Sequence, residues 1–507
     1  MSIVQSMTGS LLFGHNASAV REHSPVASHD EPTHSREPLQ LGRLGPERTH
    51  EVFCKVLIAI GLAVLIGWLA MQRGTVDRWF RWPETHWGNL FWIQSLLFGG
   101  MMYAALGWRL ALWRRYRPMA GVSDAHLPSL TVIIPCFNEG PLVGDAIRAA
   151  AASRYPADRL EIIVIDDGST DDSWRHILSA SREVRDRVNI LTLRHPKNLG
   201  KRRALYLGFQ RGSGEIVVTL DSDSILQPDA LRNGVAPLVR DRRIGCVAGC
   251  VEVLNPDESV FSRFLKCSFS LSFKFVRAYQ NEFRGVFCTP GALSFYRAVE
   301  VRHVADAWLN QRFLGCACTT GEDRALTNLF LERGWLTAYQ QNAVVRSRMP
   351  TTYAGLCGMF LRWARSNVRE TVVLFRFMFT RFRREYLQSF RFNMLLATMA
   401  LVLPPLLIVN SFMMLLTRDD YLTHQIGIVL TYSLLFALIY YVNERDSDWL
   451  WLIVYEFFWV TCLWWILPYA FLTLRNTGWL TRRADVGVGN PSRERSNPES
   501  WVPGLGT

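Results

Sequence analysis

Hydrophobic and polar positions alternate with two different periods along this chain. Near both ends stand apolar runs of about 20 residues, the length a helix needs to cross a bilayer. Residues 52–71 and 90–108 form two such runs, and 392–416, 426–442 and 449–474 form three more, so five transmembrane helices are expected. The middle of the chain has a shorter rhythm. Residues 130–135, a β-branched run, and the apolar runs 160–165, 188–193 and 215–220 are read as strands, with helical stretches such as 142–152 between them and a further apolar stretch at 244–253. Strands alternating with helices predict a parallel α/β sheet, with ligands at the carboxyl ends of its strands.

Two further stretches are amphipathic. In 260–279, Phe261, Phe264, Leu265, Phe269, Phe273 and Val276 interleave with Arg263, Lys266, Lys274 and Arg277. Residues 372–391 repeat the theme with Arg376, Arg381, Arg383 and Arg384. Both suit helices lying in a membrane interface, with core packing the alternative for the first. The pattern divides the chain into a disordered polar tail (1–50), two transmembrane helices (51–117), an α/β domain (118–370), an interface helix (371–391), a transmembrane region (392–474) and a basic tail (475–507). The first apolar run begins at Val52, too deep for a cleavable signal.

Charge sets the orientation. The net charge is +12, and with only five lysines it is carried by arginine. The arginines flank apolar runs, which favours anionic lipid headgroups over nucleic acid as their partner. Arg109, Arg114, Arg115 and Arg117 follow the second apolar run, so the α/β domain is expected on the cytoplasmic side of the inner membrane. Five crossings would then leave the tail outside, whereas Arg475, Arg482, Arg483, Arg493 and Arg495 argue for inside. The ten cysteines include no CxxC pair and read as reduced thiols, Cys316 and Cys318 near the acidic centre included.

Candidate chemistry gathers in acidic islands at strand ends. Asp166 and Asp167 end the second strand, and Asp221 and Asp223 follow the fourth. Glu322 and Asp323 open a helical segment, and Arg362-Trp363 lies beyond. Sugar transfer from a nucleoside diphosphate needs a cation for the leaving group, a base for the acceptor and surfaces that orient both sugars. Asp221 and Asp223 offer carboxylate oxygens to Mg²⁺ or Mn²⁺. Asp166 and Asp167 suit a uracil ring or ribose, and Lys201 suits phosphate. Asp323 is the candidate general base, with a helix N-terminal acid the plainer alternative. Arg362 can pair with a diphosphate, and Trp363 can stack on a sugar. Glu456 stands among aromatic residues in the last apolar run, where a buried acid points to a polar path or a helix partner.

The ordered series TVIIPCFNE (131–139), DDGSTDDS (166–173), NLGKRRAL (198–205), DSDS (221–224), CTPGALSFYR (288–297), GEDRALTN (321–328) and LRWARSNVRE (361–370) resembles processive family 2 glycosyltransferases. Within them it is similar to hyaluronan synthases, nodulation chitooligosaccharide synthases and chitin synthases. The resemblance implies a GT-A fold, a nucleotide-diphospho-sugar transferase domain inserted between transmembrane helices. It also implies a divalent metal, inversion at the anomeric carbon, and a donor such as UDP-GlcNAc, UDP-GlcA or UDP-Glc feeding a growing polysaccharide. It places Pro135, Glu139, Asp166, Asp167, Lys201, Asp221 and Arg482 at the donor and Asp223 with Asp221 at the metal. Asp323, Arg362 and Trp363 fall at the catalytic positions, with Glu322 and Trp363 toward the acceptor.

Two departures stand out. Met359 replaces the glutamine of the family's QxxRW motif, and Leu480 replaces the glycine of its WGTR motif, here Trp479 to Arg482. The first bears on processivity. A transferase that adds one sugar to a lipid, and a non-catalytic membrane subunit of a secretion complex, are therefore the rivals to a polysaccharide synthase.

Overall fold

The β-branched runs of the middle of the chain form the strands expected of them. The structure, a computed structural model, describes residues 46–72, 74, 86–417 and 421–476. Two helices, α1 (Pro46–Met71) and α2 (His86–Arg115), precede the sheet. The strands β1 (Leu130–Cys136), β2 (Leu160–Asp166), β3 (Asn189–Arg194) and β4 (Ile216–Leu220) are parallel neighbours. Between and after them run α3 (Leu142–Ala151), α4 (Ser173–Val184), α5 (Lys201–Arg211) and α6 (Ala230–Arg240).

Side chains of β1 alternate between two cores, as the period of a strand requires. Val132 and Ile134 pack with Val143 and Ile147 of α3 and Ile177 of α4. Ile133 faces the other way, onto Ala204, Leu205 and Phe209 of α5. With helices on both faces every residue of β1 and β4 is buried. Each aliphatic side chain so enclosed contributes about 1.5–3 kcal/mol.

The sheet is mixed, which corrects the parallel expectation. Its order is β3-β2-β1-β4-β7-β6-β10-β5, with β5 (Ser224–Leu226), β6 (Ile244–Val253), β7 (Leu293–Arg297) and β10 (Leu336–Ser347). β7 runs antiparallel between β4 and β6, and β5 antiparallel to β10. Strand period carries no direction. β7 follows a helical excursion that leaves the carboxyl end of β6 and returns to that same edge, so it must run back through the sheet.

That excursion is α7 (Val260–Ser270), continued through π-type turns at Leu271–Arg277 into α8 (Ala278–Asn281). A reciprocal Ser259–Ser262 capping box starts it. Phe264, Leu265, Phe269 and Phe273 are buried, so the membrane-surface reading of 260–279 gives way to protein packing. The covering element is α14 (Trp449–Cys462). Phe264 lies 5.2 Å from Phe458, 5.7 Å from Tyr455 and 6.3 Å from Trp451.

The chain then runs through α9 (Ala298–Leu309), a small hairpin of β8 (Arg312–Phe313) and β9 (Cys316–Ala317), and α10 (Glu322–Glu332). After β10 comes α11 (Tyr353–Met378), one unbroken helix. An expected boundary at 370 falls inside it, because Arg369 and Glu370 are fully enclosed against α10. A separate helix over 371–391 is likewise corrected, since α12 (Leu387–Thr417) begins only at Leu387.

Among the described residues, His50–Met71 and Tyr421–Glu444, the latter α13, are long and apolar enough to cross a membrane. The expected single span at 449–474 is instead α14 followed by α15 (Ile466–Leu472), bent by 44°. Pro468 explains the break, since its ring clashes with the carbonyl four residues back, at Trp464. Both ends of this bent pair are tied to the α/β domain. At one end Lys266 binds Asp446 and Asp448 at 2.8 and 2.5 Å, and Lys274 binds Glu444 at 2.9 Å. Asp448 also meets Lys55 of α1 at 2.8 Å. Toward the other end the Tyr353 hydroxyl donates to the Cys462 carbonyl at 2.9 Å, and Arg365 Nε donates to the Thr473 hydroxyl at 3.0 Å.

Candidate active site

The carboxyl ends of β1, β2 and β4 and the start of α10 converge. Pro135 is buried within β1, in register with Ile165. Beyond it Glu139 accepts from the Ser222 hydroxyl at 3.0 Å, linking the end of β1 to the Asp221–Asp223 turn. Asp166 and Asp167 are engaged by the protein itself. Asp166 is fully buried, meets Arg194 at 2.9 Å and accepts from the Ser169 amide at 3.0 Å. Asp167 accepts from His195 Nδ1 at 2.7 Å and from the amides of Leu199 and Gly200 at 3.0 and 2.7 Å. Together they shape the 195–200 loop that delivers Lys201.

Lys201 opens α5 and is the hub of the site. Its ammonium donates to Asp221 Oδ1 at 2.6 Å and meets Glu322 Oε1 at 2.9 Å. Burial alone would push the ammonium down, but its two carboxylate partners raise it, so it stays charged. Burial would likewise raise Glu322, yet Lys201, with Arg362 adding to it, holds that carboxyl well below the usual range. Glu322 is thus an ion-pair partner of Lys201.

Asp323 behaves in the opposite way. Burial and the neighbouring Glu322 charge raise it, against Lys201 and the amides of Arg324 and Gly291. Its Oδ1 accepts from the Arg324 amide at 2.7 Å, the contact of a helix N-terminal acid. Its Oδ2 accepts from the Gly291 amide at 3.3 Å and from Cys288 Sγ at 3.6 Å. Burial and Asp323 push the Cys288 thiol up, so it remains a neutral donor. Gly321 precedes the acids at φ +71°, where a Cβ would overlap the Ser366 hydroxyl. Glycine is what lets α11 lie this close.

α11 carries Arg362 and Trp363. Arg324 of α10 donates to Asn367 at 2.6 Å and to Thr371 at 2.9 Å, which fixes the two helices together. Trp363 is partly buried, 5.9 Å from Phe269 and 5.8 Å from Phe360, and Phe360 in turn meets Trp459 at 5.1 Å. Met359, at the departure from QxxRW, is 4% exposed and packs in the core. Arg482 and the rest of Trp479–Arg482 lie outside the described residues.

Two site residues lie within the CTPGALSFYR stretch but receive no role from the sequence. Gly291 lies directly over the hub, where a Cβ would stand 2.9 Å from Lys201 Nζ, 3.7 Å from Glu322 Oε1 and 3.8 Å from Asp221 Oδ1. Cys288 reaches Asp323 from the same loop. The signal was the Pro-Gly turn just before a strand.

The donor set fits a divalent cation shared with a substrate. Asp221 and Asp223 offer hard oxygens at the end of β4, and Asp223 Oδ1 accepts from the hydroxyls of Ser224 and Ser347 at 3.2 and 3.3 Å. Among the described residues no group of three or more His, Cys, Asp or Glu side chains forms a closed metal cage. A cation held here needs further oxygens from outside the protein, as Mg²⁺ and Mn²⁺ take from phosphates and water.

A mixed sheet flanked by helices, with acids at the carboxyl ends of its parallel strands, is the GT-A-like α/β fold. It is similar to the structure of the mannosyltransferase PcManGT from Pyrobaculum calidifontis in complex with GDP-Man and Mn²⁺. That likeness has a TM-score of 0.50 and 19% identity, and covers 71% of this chain and 98% of the other. Residues 128–366 match the family described as Glycosyltransferase like family 2. The chain is 34% identical over 251 residues to an N-acetylglucosaminyltransferase of Mesorhizobium japonicum, covering 50% of this chain and 58% of that protein. It is 28% identical over 372 residues to an N-acetylglucosaminyltransferase of Azorhizobium caulinodans, covering 72% and 91%. The chain thus spans a little over half the length of the first of these relatives.

Proposed function

We propose that this protein is a membrane-embedded inverting glycosyltransferase that polymerises sugar from a UDP-sugar donor into a β-linked chain and passes it across the membrane. The relatives' names favour UDP-GlcNAc over UDP-GlcA or UDP-Glc. One observation carries the reading: Lys201, Asp221 and Glu322 meet at one point, with Asp323 the next residue of the same helix turn.

In this reading Lys201 and Arg362 face the donor diphosphate while Asp166 and Asp167 hold the loop beside the nucleotide. Asp221 and Asp223 would hold Mg²⁺ or Mn²⁺, which supplies charge neutralisation to the leaving diphosphate. Asp323 takes the proton of the acceptor hydroxyl. The freed oxygen bonds to the anomeric carbon from the face opposite UDP as the carbon–oxygen bond to UDP breaks, giving the β-linkage. A carboxyl raised by burial is the stronger base for this task. Trp363, in its aromatic cluster, presents a ring against which the acceptor sugar stacks.

The ties at both ends of α14 and α15 support an even number of crossings. With α1, α2, α12 and α13 spanning and the bent pair re-entrant, the tail and the catalytic domain share the cytoplasmic side. This removes the parity conflict of five spans.

Purified full-length protein with Mn²⁺ should release UDP from UDP-GlcNAc and yield a ladder of products. Buried Met359, which presents no amide to an acceptor, favours a second reading in which one sugar is added to a lipid. A single glycolipid product would establish it. No UDP release from any of the three donors would overturn both and leave the non-catalytic subunit.

A further inference from the structure

Behind the acids lies a largely buried polar cluster whose side chains are none of those assigned above to donor, metal or acceptor. Its centre is Glu370 of α11, fully buried. Glu370 Oε1 accepts from Arg369 Nε at 3.0 Å and from Gln311 Nε2 at 3.1 Å, and Oε2 accepts from Asn328 Nδ2 at 3.1 Å. Asn328 Nδ2 also donates to the Glu370 carbonyl at 2.9 Å. Gln311 in turn accepts from Arg202, which is buried and donates to the Trp308 carbonyl at 2.8 Å.

The cluster ends on the backbone of the catalytic turn. Arg369 donates to the Thr320 carbonyl, as does Arg202 at 3.4 Å. Trp308 Nε1 donates to the Glu322 carbonyl at 2.8 Å. Consecutive residues of α5 therefore grip the same turn twice: Lys201 holds the Glu322 side chain, and Arg202 holds the carbonyl two residues earlier. Two buried guanidiniums stand near one buried carboxylate, Arg369 bonded to it directly and Arg202 linked to it through Gln311. Removing one partner of such a set leaves the others uncompensated in a low dielectric.

We propose that Glu370 is a positioning residue for the Glu322–Asp323 turn. Its carboxylate fixes Arg369 and, through Gln311, Arg202, and these two hold the Thr320 carbonyl so that α10 starts with Asp323 facing the reaction centre. This inference rests on the glycosyltransferase reading above. Glu370 touches no substrate, so its loss should act on turnover and spare binding.

The test uses the full-length protein in detergent or nanodiscs, with UDP-GlcNAc and Mn²⁺. Glu370→Gln keeps the shape and removes the charge. It should lower kcat by about 10²-fold, the scale of an ångström's misplacement at a reacting centre, with KM for UDP-GlcNAc and the Kd for UDP with Mn²⁺ unchanged. Gln311→Glu combined with Glu370→Gln returns the carboxylate to the cluster one position away and should recover most of that loss. Wild-type kcat in the single variant would overturn the proposal, as would loss of UDP binding and kcat together without recovery in the double variant. Absence of UDP release from the wild-type protein would instead sink the underlying reading, and this inference with it.

Discussion

Lys201 and Glu322 meet at 2.9 Å across the first turns of α5 and α10, and this pair joins the two halves of the site. Lys201 is reached through the Asp167 loop, and Glu322 through the Gly321 turn. A charge-assisted contact of this kind is worth about 1.5–3 kcal/mol. Lys201→Met should leave Glu322 and Asp221 without their shared counter-charge. Turnover should fall about 10- to 100-fold and donor KM should rise, as measured by UDP release over a range of UDP-GlcNAc concentrations. Unchanged kinetics would remove Lys201 from the donor site.

Asp323→Asn tests the base directly. The amide keeps one acceptor oxygen, enough for the Arg324 amide, gives up the second one used by Gly291 and Cys288, and cannot take a proton. Loss of a general base costs about 10²–10⁴-fold, so UDP release should fall by that much. Binding of UDP with Mn²⁺, followed by calorimetry, should persist. An active Asn variant would return Asp323 to the plain role of a helix N-terminal acid.

The acid limb of the pH–rate profile carries the same chemistry. As the proposed base, Asp323 would work deprotonated, and burial with Glu322 beside it raises its carboxyl. Activity should therefore decline on acidification at a pH above the ordinary aspartate range. Glu322→Gln removes one raising influence, so the limb should move to lower pH in kcat/KM. Glu322 itself is held low, so its ion pair contributes stability above the usual glutamate range and loses it only as pH falls through the depressed value. A limb that moves upward in the Gln variant would contradict this assignment.

How far the sequence foretells this site depends on the kind of information each element carries. The strands β1, β2 and β4 are legible because burial on both faces demands nearly continuous apolar, β-branched-rich runs. The direction of β7 is not, because strand period is the same either way. The break between α14 and α15 hides in uniform aromatic composition, and only Pro468 marks it. Asp221 and Asp323 are legible as acids at strand and helix ends. That Asp166 and Asp167 spend their oxygens on Arg194, His195 and the 199–200 amides follows from tertiary contacts no motif encodes. Met359 shows the same limit, since the motif position it fills bears on processivity while its side chain is enclosed in the core.

Gly291 gives a prediction that separates position from fold. A Cβ there would meet the far end of the Lys201 side chain, which can shift, rather than backbone. Gly291→Ala should cost only a small drop in melting temperature, from the weakened ion pair, while displacing the ammonium from Asp221 and Glu322. UDP release should drop about tenfold, close to 1.4 kcal/mol. A large loss of thermal stability would instead mean that the loop, not the lysine, gives way.

The re-entrant reading of α14 and α15 predicts the sides on which chain segments lie. The turn after α13 is pinned to the catalytic domain by Lys266 and Lys274, and the end of α15 is pinned by Arg365. Arg445, in that turn, and Arg475, just past α15, are both exposed. Met71, at the far end of α1, is 85% exposed. With a membrane-impermeant maleimide on intact cells, Met71→Cys should label, while Arg445→Cys and Arg475→Cys should label only after permeabilisation. The unsubstituted protein, assayed alongside, sets the level contributed by its own thiols. Labelling of Arg475→Cys in intact cells would make α14 and α15 a true crossing and put the tail across the membrane from the catalytic domain.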